Sequence, residues 1–215
     1  AIHGEDGKDL SVIPAPFSYR SPARSLKGYR IGYLKADFER KYPNRANDSL
    51  TIARLRELGA ELVPLELPKL PYGAMTLALS AEGAAAFDEL TLTGRDDLLV
   101  KQDKNAWPNY FRSARFIPAV EYIQANRARS LLIREMQSKL KGLDLYISPS
   151  FSSNLTATNL SGHPCVVLPN GVNREGLPAS ITFMGQLFGE GKLLQAAQVY
   201  QSVTGFHKKH PSLNF

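Results

Sequence analysis

The chain has 215 residues, of which 43% are hydrophobic and 21% charged, and its formal net charge is +6. This length and composition are typical of a globular protein with a substantial core, and they exclude a chain that is mostly disordered. The basic residues are scattered among acidic ones and lack an interleaved aromatic platform, so the excess charge does not predict a nucleic-acid partner.

Cysteine usage and hydropathy indicate the cellular setting. Cys165 is the only cysteine, so an internal disulfide is impossible and nothing points to an oxidising compartment. No apolar run approaches the length of a membrane span, and the first ten residues lack the pattern of a signal peptide. We therefore expect a cytoplasmic protein that does not contact a membrane.

The first predicted structure is a strand, a helix and a second strand. An N-terminal loop of residues 1–27, rich in Gly, Pro and Ser, leads to this βαβ unit over residues 28–70. The segment Arg30–Leu34 has the character of a short strand, and Gly59 ends the helix that follows. Alternating apolar residues predict the second strand over Val63–Leu67, where nearby prolines favour the edge of a sheet. We expect the two strands to be parallel.

The middle of the chain is predicted to be mostly helical. Residues 75–91 are rich in Ala and Leu and predict a helix, whereas the polar residues 95–112 predict a loop packed by its aromatic side chains. Val120–Leu140 has the spacing of a long amphipathic helix, which Gly142 ends.

The last part of the chain, residues 143–206, is predicted to supply core strands and a closing helix. Leu143–Ile147 reads as a buried strand. Cys165–Leu168 and Ala179–Phe183 are two more strands, and the Gly/Pro-rich turn between them predicts an antiparallel hairpin. Glu190–Val203 is the closing helix. These elements predict an α/β fold in which helices cover a mixed β-sheet.

The residue patterns contain no recognisable catalytic device. There is no G-x-S-x-G nucleophile turn, no H-E-x-x-H metal motif and no Cys/His grouping with zinc spacing. His163 and Cys165 could form a thiolate–imidazole pair, but no third group is available to orient it, and cysteine is usually a buried core residue. We predict a structural role for Cys165, no catalytic residue, no metal site and no cofactor.

Three ordered motifs near the C-terminus carry a family resemblance: NLSGHP at residues 159–164, VVLPNG at 166–171 and GLPASI at 176–181. Together they resemble the C-terminal block of amidase-signature enzymes, which include the glutaminase subunit of the tRNA-dependent amidotransferases. In that block, Asn-x-x-Gly-x-Pro, a strand, Pro-x-Gly, a turn, Gly-Leu-Pro and a second strand precede a helix opened by Glu, here Glu190. Looser matches extend the resemblance over nearly the whole chain.

The resemblance implies that residues 1–215 are the C-terminal part of a single amidase-signature domain. Enzymes of this family hydrolyse carboxamides by acylating a serine, assisted by a second serine and a lysine. Those residues precede the matched region, so no position here inherits a catalytic role. We expect the chain alone to be inactive, the missing N-terminal part to be its partner, and its exposed apolar surface to allow a homo-oligomer.

The resemblance also implies a contribution to the acyl pocket, which would hold a small-molecule amide. The loop after the Leu143–Ile147 strand supplies the candidate substrate-binding residues Phe151, Asn154, Thr156 and Asn159. These Asn and Thr side chains can instead bond their own backbone, a structural role that we favour for Asn159.

The identity of the amide is the least defined part of the prediction. In the glutaminase of the amidotransferases, an acidic residue of this loop helps to hold the substrate amide, whereas Ser150–Asn154 contains no acid. This difference favours a general amidase over a glutaminase. The alternatives are part of an amidotransferase glutaminase subunit, which would need protein partners and tRNA, and a non-catalytic binding module on the same frame.

Overall fold

A computed structural model describes residues 3–9, 11–20 and 24–209. The chain divides into two compact units. We call Ala1–Leu67 with Met136–Phe215 the sheet unit, and Pro68–Glu135 the helical unit. Two compact units can belong to one domain, so the single-domain assignment stays a prediction. Among the described residues, none of the helices has both the length and the apolar character needed to cross a membrane.

In the described part of the chain, five strands form the sheet, in the order β2-β1-β3-β5-β4. They are β1 (Arg30–Leu34), β2 (Glu61–Leu65), β3 (Leu145–Pro149), β4 (Cys165–Val172) and β5 (Pro178–Gly185). Strand β1 runs parallel to β2 and β3, whereas β5 runs antiparallel to β3 and β4. The predicted mixed sheet, parallel βαβ unit and antiparallel hairpin are therefore confirmed.

The helices include both long elements that the sequence predicts. In chain order they are α1 (Lys35–Glu39), α2 (Arg45–Glu57), α3 (Tyr72–Met75), α4 (Leu77–Ala86), α5 (Asp88–Leu92), α6 (Trp107–Ala114), α7 (Ala119–Lys139), α8 (Asn154–Ser161) and α9 (Glu190–Thr204), with short 3-10 helices at Arg95–Leu98 and Phe206–Lys208. Helices α7 and α9 begin and end within one residue of their predicted limits.

The core of the sheet unit lies where α2 and α9 pack on the sheet. Ile31, Ile147 and Phe183 from the strands are fully buried, and they form one apolar cluster with Leu55 of α2 and Tyr200 of α9. Fully burying a large apolar side chain contributes about 1.5–3 kcal/mol, so this cluster is the main stabilising feature of the unit. All five residues of β3 are buried because this strand lies in the middle of the sheet, between β1 and β5.

Two predictions about the helical unit are wrong. Residues 95–112, predicted to be a loop, contain a 3-10 helix and most of α6. Pro108 lies in the first turn of α6, where its fixed φ favours a helix and its missing N–H costs nothing. The single helix predicted over residues 75–91 is broken at Thr76 and Phe87 into three short ones.

Candidate functional site

The candidate site lies at the edge of the sheet where the parallel strands β1 and β3 end. After β1 the chain returns to the sheet on one side, as β2, and after β3 it returns on the other, as β4 and β5. Ligands of open α/β sheets usually bind outside the carboxyl ends of the strands at such a switch point. The residues that follow Leu34 and Pro149 are therefore the first ones to consider.

A cluster of hydroxyl groups lies at the end of β3. The Ser150 Oγ is 2.9 Å from the Thr182 Oγ1, and it accepts a hydrogen bond from the Ser180 Oγ at 3.0 Å. The Ser152 Oγ donates to the buried Ser148 Oγ at 3.2 Å. Neutral hydroxyls can both donate and accept, so the cluster suits an uncharged polar group such as an amide. Among the residues that the structure describes, no His or Lys side chain is hydrogen-bonded to these hydroxyls.

An acidic side chain also reaches this site. Asp37 follows β1 in α1, and its Oδ2 accepts a hydrogen bond of 3.2 Å from the Ser153 Oγ. The Asp37 side chain is only 14% exposed, and its other oxygen lies 3.9 Å from a guanidinium nitrogen of Arg40. The motifs and spacings of the sequence did not reveal this residue. The signal that could have revealed it is its position, three residues beyond a strand that ends at a switch point.

Phe151 has an unusual backbone conformation. Its φ is 59°, in the left-handed region that few non-glycine residues adopt, and its side chain is 92% exposed. Such a backbone costs on the order of 1 kcal/mol or more and recurs at active sites and ligand clamps, although Phe188 adopts the same φ of 59°. Both the strain and the exposed ring suggest that Phe151 contacts a ligand or another surface.

The structure does not bring the four predicted site residues together. They were expected in a loop, but Asn154 begins helix α8 and is 3% exposed. The Asn154 Oδ1 accepts a hydrogen bond of 2.5 Å from the Tyr146 hydroxyl, which gives this residue a structural role. Thr156 is half-buried and Asn159 is exposed. Because they are three residues apart, they lie on the same side of α8.

Histidine and cysteine do not form a reactive pair. The His163 Nδ1 lies 2.8 Å from the Ser161 Oγ, and the histidine is buried. Cys165 is exposed, so the prediction of a buried cysteine is wrong. β4 is an edge strand of the described sheet, and along it Cys165 and Val167 are exposed whereas Leu168 and Asn170 are buried. Within residues 3–9, 11–20 and 24–209, no cluster of His, Cys, Asp and Glu could hold a metal ion.

Burial of His163 leads to a pH-dependent prediction. Desolvation lowers the pKa of His163 below its ordinary value of 6.5, so the unfolded chain binds this proton more tightly than the folded chain. We expect the stability that His163 contributes to be complete above pH 6.5 and lost as the pH falls below it. In an NMR titration, the His163 ring should lose its proton below pH 6.5. Loss of the proton at or above pH 6.5 would contradict the buried, neutral imidazole.

Comparisons with known proteins agree with this geometry. The chain matches no protein-family model. It is 24% identical over 257 residues to a glutamyl-tRNA(Gln) amidotransferase subunit from Microcystis aeruginosa, covering 99% of this chain and 53% of that protein. The corresponding subunit from Prochlorococcus marinus is 26% identical, over 100% of this chain and 54% of that protein. The chain thus spans about half the length of these relatives.

A solved structure shares the fold. The native peptide amidase from Stenotrophomonas maltophilia has a TM-score of 0.76 at 22% identity, and the match covers 94% of this chain and 49% of the amidase. The match to about half of that enzyme agrees with the sequence comparison. Along nearly its whole length, the chain is thus similar to about half of amidotransferase subunits and of amidase-signature enzymes, and it shares the α/β fold of the latter.

Proposed function

We propose that this chain supplies part of the core sheet and one wall of the acyl pocket to a carboxamide hydrolase, an enzyme that cleaves C–N bonds. The observation that carries the proposal is the hydroxyl cluster of Ser150, Ser180 and Thr182 at the switch point of a fold shared with amidases. The catalytic serines and lysine of the family have no counterpart in this sequence. Chemistry would therefore require the N-terminal part of the family fold, which we propose as the main partner of the chain.

The first test is ammonia release from a panel of simple carboxamides by the 215-residue chain. We expect no release, because the sequence has no match to the family's catalytic serines and lysine, and the hydroxyl of Ser161, which lies 2.8 Å from His163, is buried with that histidine. Release that survives repurification and is lost in the Cys165→Ala variant would mean that the chemistry resides in this chain. In that case the assignment of the catalytic step to another part of the protein would be wrong.

An observation in the structure also favours a second candidate function. In this alternative, the chain is part of the glutaminase subunit of a tRNA-dependent amidotransferase. The loop Ser150–Asn154 lacks the acid that the family resemblance requires for glutamine. The hydrogen bond from Ser153 to Asp37, however, places a carboxylate from another element beside this loop. A carboxylate accepts hydrogen bonds, so it could hold the NH2 group of a substrate amide. The sequence similarity to the two amidotransferase proteins favours the same reading.

Substitution of Asp37 tests whether this carboxylate binds an amide. With 15N-labelled protein and butyramide or L-glutamine, we expect concentration-dependent shifts of the backbone amides of Ser150 and Ser153. The Asp37→Asn variant should weaken these shifts at least threefold, since the carboxylate acceptor is lost. Asp103→Asn, a change at an exposed site in the helical unit, is the matched control. Equal shifts in wild type and Asp37→Asn would remove Asp37 from the binding site.

Two substitutions separate the ring of Phe151 from its backbone strain. Phe151→Ala removes the ring and keeps the left-handed conformation, whereas Phe151→Gly removes both the ring and the strain. If the ring binds the acyl group, both variants should weaken the butyramide shifts to the same extent. Thermal unfolding should show Phe151→Gly to be more stable than Phe151→Ala by about 1 kcal/mol. Unchanged butyramide binding in both variants would leave the ring without a role in the pocket.

The cellular setting and assembly of the protein belong to the same proposal. We propose a cytoplasmic location, a reducing compartment in which the exposed thiol of Cys165 would stay free. A homo-oligomer stays a second possible assembly beside the pairing with the N-terminal part of the fold. Large apolar side chains that are more than half exposed support such contacts, among them Val167, Val172 and Leu177 around the β4–β5 hairpin.

A further inference from the structure

An apolar groove lies entirely within the helical unit, residues 68–135, all of which the structure describes. Its volume is roughly 380 Å³, and its walls are Leu79, Gly83, Phe87, Leu90, Leu99, Trp107 and Phe111. None of these lining residues carries a charge. We propose that the groove binds an uncharged aromatic ring of a small molecule. This proposal does not depend on amide hydrolysis, because every lining residue lies outside the sheet unit.

The aromatic side chains of the groove are arranged for stacking. The rings of Phe87 and Phe111 have centroids 4.9 Å apart and planes inclined by 22°, and those of Trp107 and Phe111 are 5.6 Å apart and inclined by 27°. Phe111 is buried, whereas Phe87 is 50% and Trp107 63% exposed. The rings of Phe87 and Trp107 are therefore partly open to solvent on either side of the buried Phe111 ring. A further ring can extend this offset stack at a gain of about 0.5–1.5 kcal/mol per ring pair beyond the burial of its area.

Gly83 keeps the floor of the groove open. It lies inside helix α4, where glycine costs about 1 kcal/mol relative to alanine. A Cβ at this position would meet only the Phe111 Cε1, at 4.0 Å, so no neighbouring atom requires a glycine. The position faces the space that a ligand would fill, since Gly83 lines the groove. The missing side chain is therefore explained by access to the Phe111 ring.

The charges around the groove indicate an uncharged ligand. Asp88 pairs with Arg115, Glu89 pairs with Arg95, and Arg112 pairs with Asp96 and Asp97. Because these carboxylates and guanidinium groups neutralise one another, they would not attract an ion to the groove. An ionised group would also lose its hydration inside apolar walls without gaining a partner.

The size of the groove favours a small molecule over a protein. Ligand pockets usually have volumes of about 300–1,000 Å³, and an apolar cavity of about 150 Å³ is enough to hold benzene. A stable protein interface needs about 800 Å² from each partner and about 20–30 residues on each side. Seven lining residues are too few for such an interface, so a second copy of the chain is not the expected occupant.

Trp107 is the only tryptophan of the chain, so its fluorescence reports on this groove alone. Bromobenzene is a suitable probe, because its ring is uncharged and its bromine quenches tryptophan on contact. We expect quenching that saturates with concentration. The Gly83→Leu variant fills the floor and should raise the dissociation constant at least tenfold. Gly73→Leu is the matched control, since Gly73 belongs to the same unit and faces open space.

Several outcomes would overturn the proposal. One is quenching that rises linearly and no more steeply than with the polar quencher 2-bromoethanol, which would show random collision. Another is saturable quenching that Gly83→Leu leaves unchanged. A third is a dimer in sedimentation velocity whose Trp107 is shielded from both quenchers, which would assign the groove to a second copy. If Gly83→Leu does not fold, Leu79→Ser at a 60% exposed position should weaken bromobenzene binding at least threefold.

Discussion

The Gly32→Val substitution is expected to lower the free energy of unfolding by about 3 kcal/mol. Gly32 lies in the middle of β1, between β2 and β3. A Cβ at this position would lie 2.8 Å from the Leu143 Cδ1 and 3.0 Å from the Tyr146 Cβ. The Leu143 methyl group can rotate away, but the Tyr146 Cβ is fixed to the backbone of β3. The added carbons must therefore push apart two paired strands in the centre of the sheet.

Urea denaturation followed by far-UV circular dichroism measures this loss of stability. Gly32→Ala should have a smaller effect than Gly32→Val, because it adds only the Cβ. Gly73→Ala controls for the change in backbone entropy, since a Cβ at Gly73 would meet no atom within 4 Å. If Gly32→Val were as stable as the wild type, the close approach of β1 and β3 at this residue would be incorrect.

The Asp48→Asn substitution is expected to stabilise the protein at pH 7. Asp48 is 1% exposed, and its Oδ1 accepts a hydrogen bond of 2.6 Å from the Asn170 Nδ2. Burial raises the pKa of Asp48 above its ordinary value of 3.8 and outweighs the hydrogen bonds from Asn170 and Tyr42, which both act in the opposite direction. The charged form is therefore costly in the folded chain. The oxygen of an asparagine can still accept from Asn170, and no charge has to be buried.

The raised pKa of Asp48 also predicts how the free energy of unfolding changes with pH. A raised pKa means that the folded chain binds the Asp48 proton more tightly than the unfolded chain, so the stability that Asp48 contributes should fall as the pH rises above 3.8. In the Asp48→Asn variant this decline should disappear. The gain at pH 7 should be about 1.4 kcal/mol for each pH unit that separates the folded and unfolded pKa values.

Unfolding curves measured from pH 3 to pH 8 test this prediction. Asp97→Asn is the control, because the Asp97 side chain is 80% exposed and its replacement should change the stability at pH 7 by little. A less stable Asp48→Asn variant at pH 7 would contradict the prediction. It would show that hydrogen bonding to Asp48 stabilises the carboxylate more than burial penalises it.

Much of the sheet unit could be predicted from local sequence patterns. The segment Glu190–Thr204 has helical periodicity, and the sequence also marks both of its ends. A glutamate occupies the first position, and Gly205, which adopts the left-handed conformation, follows the last. The hairpin of β4 and β5 follows from two short apolar runs joined by a turn rich in Gly and Pro. Helix α6 was missed because the polar residues of 95–112 indicate a loop, although Pro108 in the first turn favours a helix.

The sequence by itself determined the class of the fold and the family resemblance, because these depend on residue types and on short-range spacing. Only the tertiary structure decided which polar groups meet. Asn170 occupies an irregularity in the pairing of β4 and β5, which turns its side chain inward to Asp48, 122 residues away. Asp37 similarly meets Ser153 across 116 residues. Local spacing carries no information about such contacts, since they depend on how strands align and where they end.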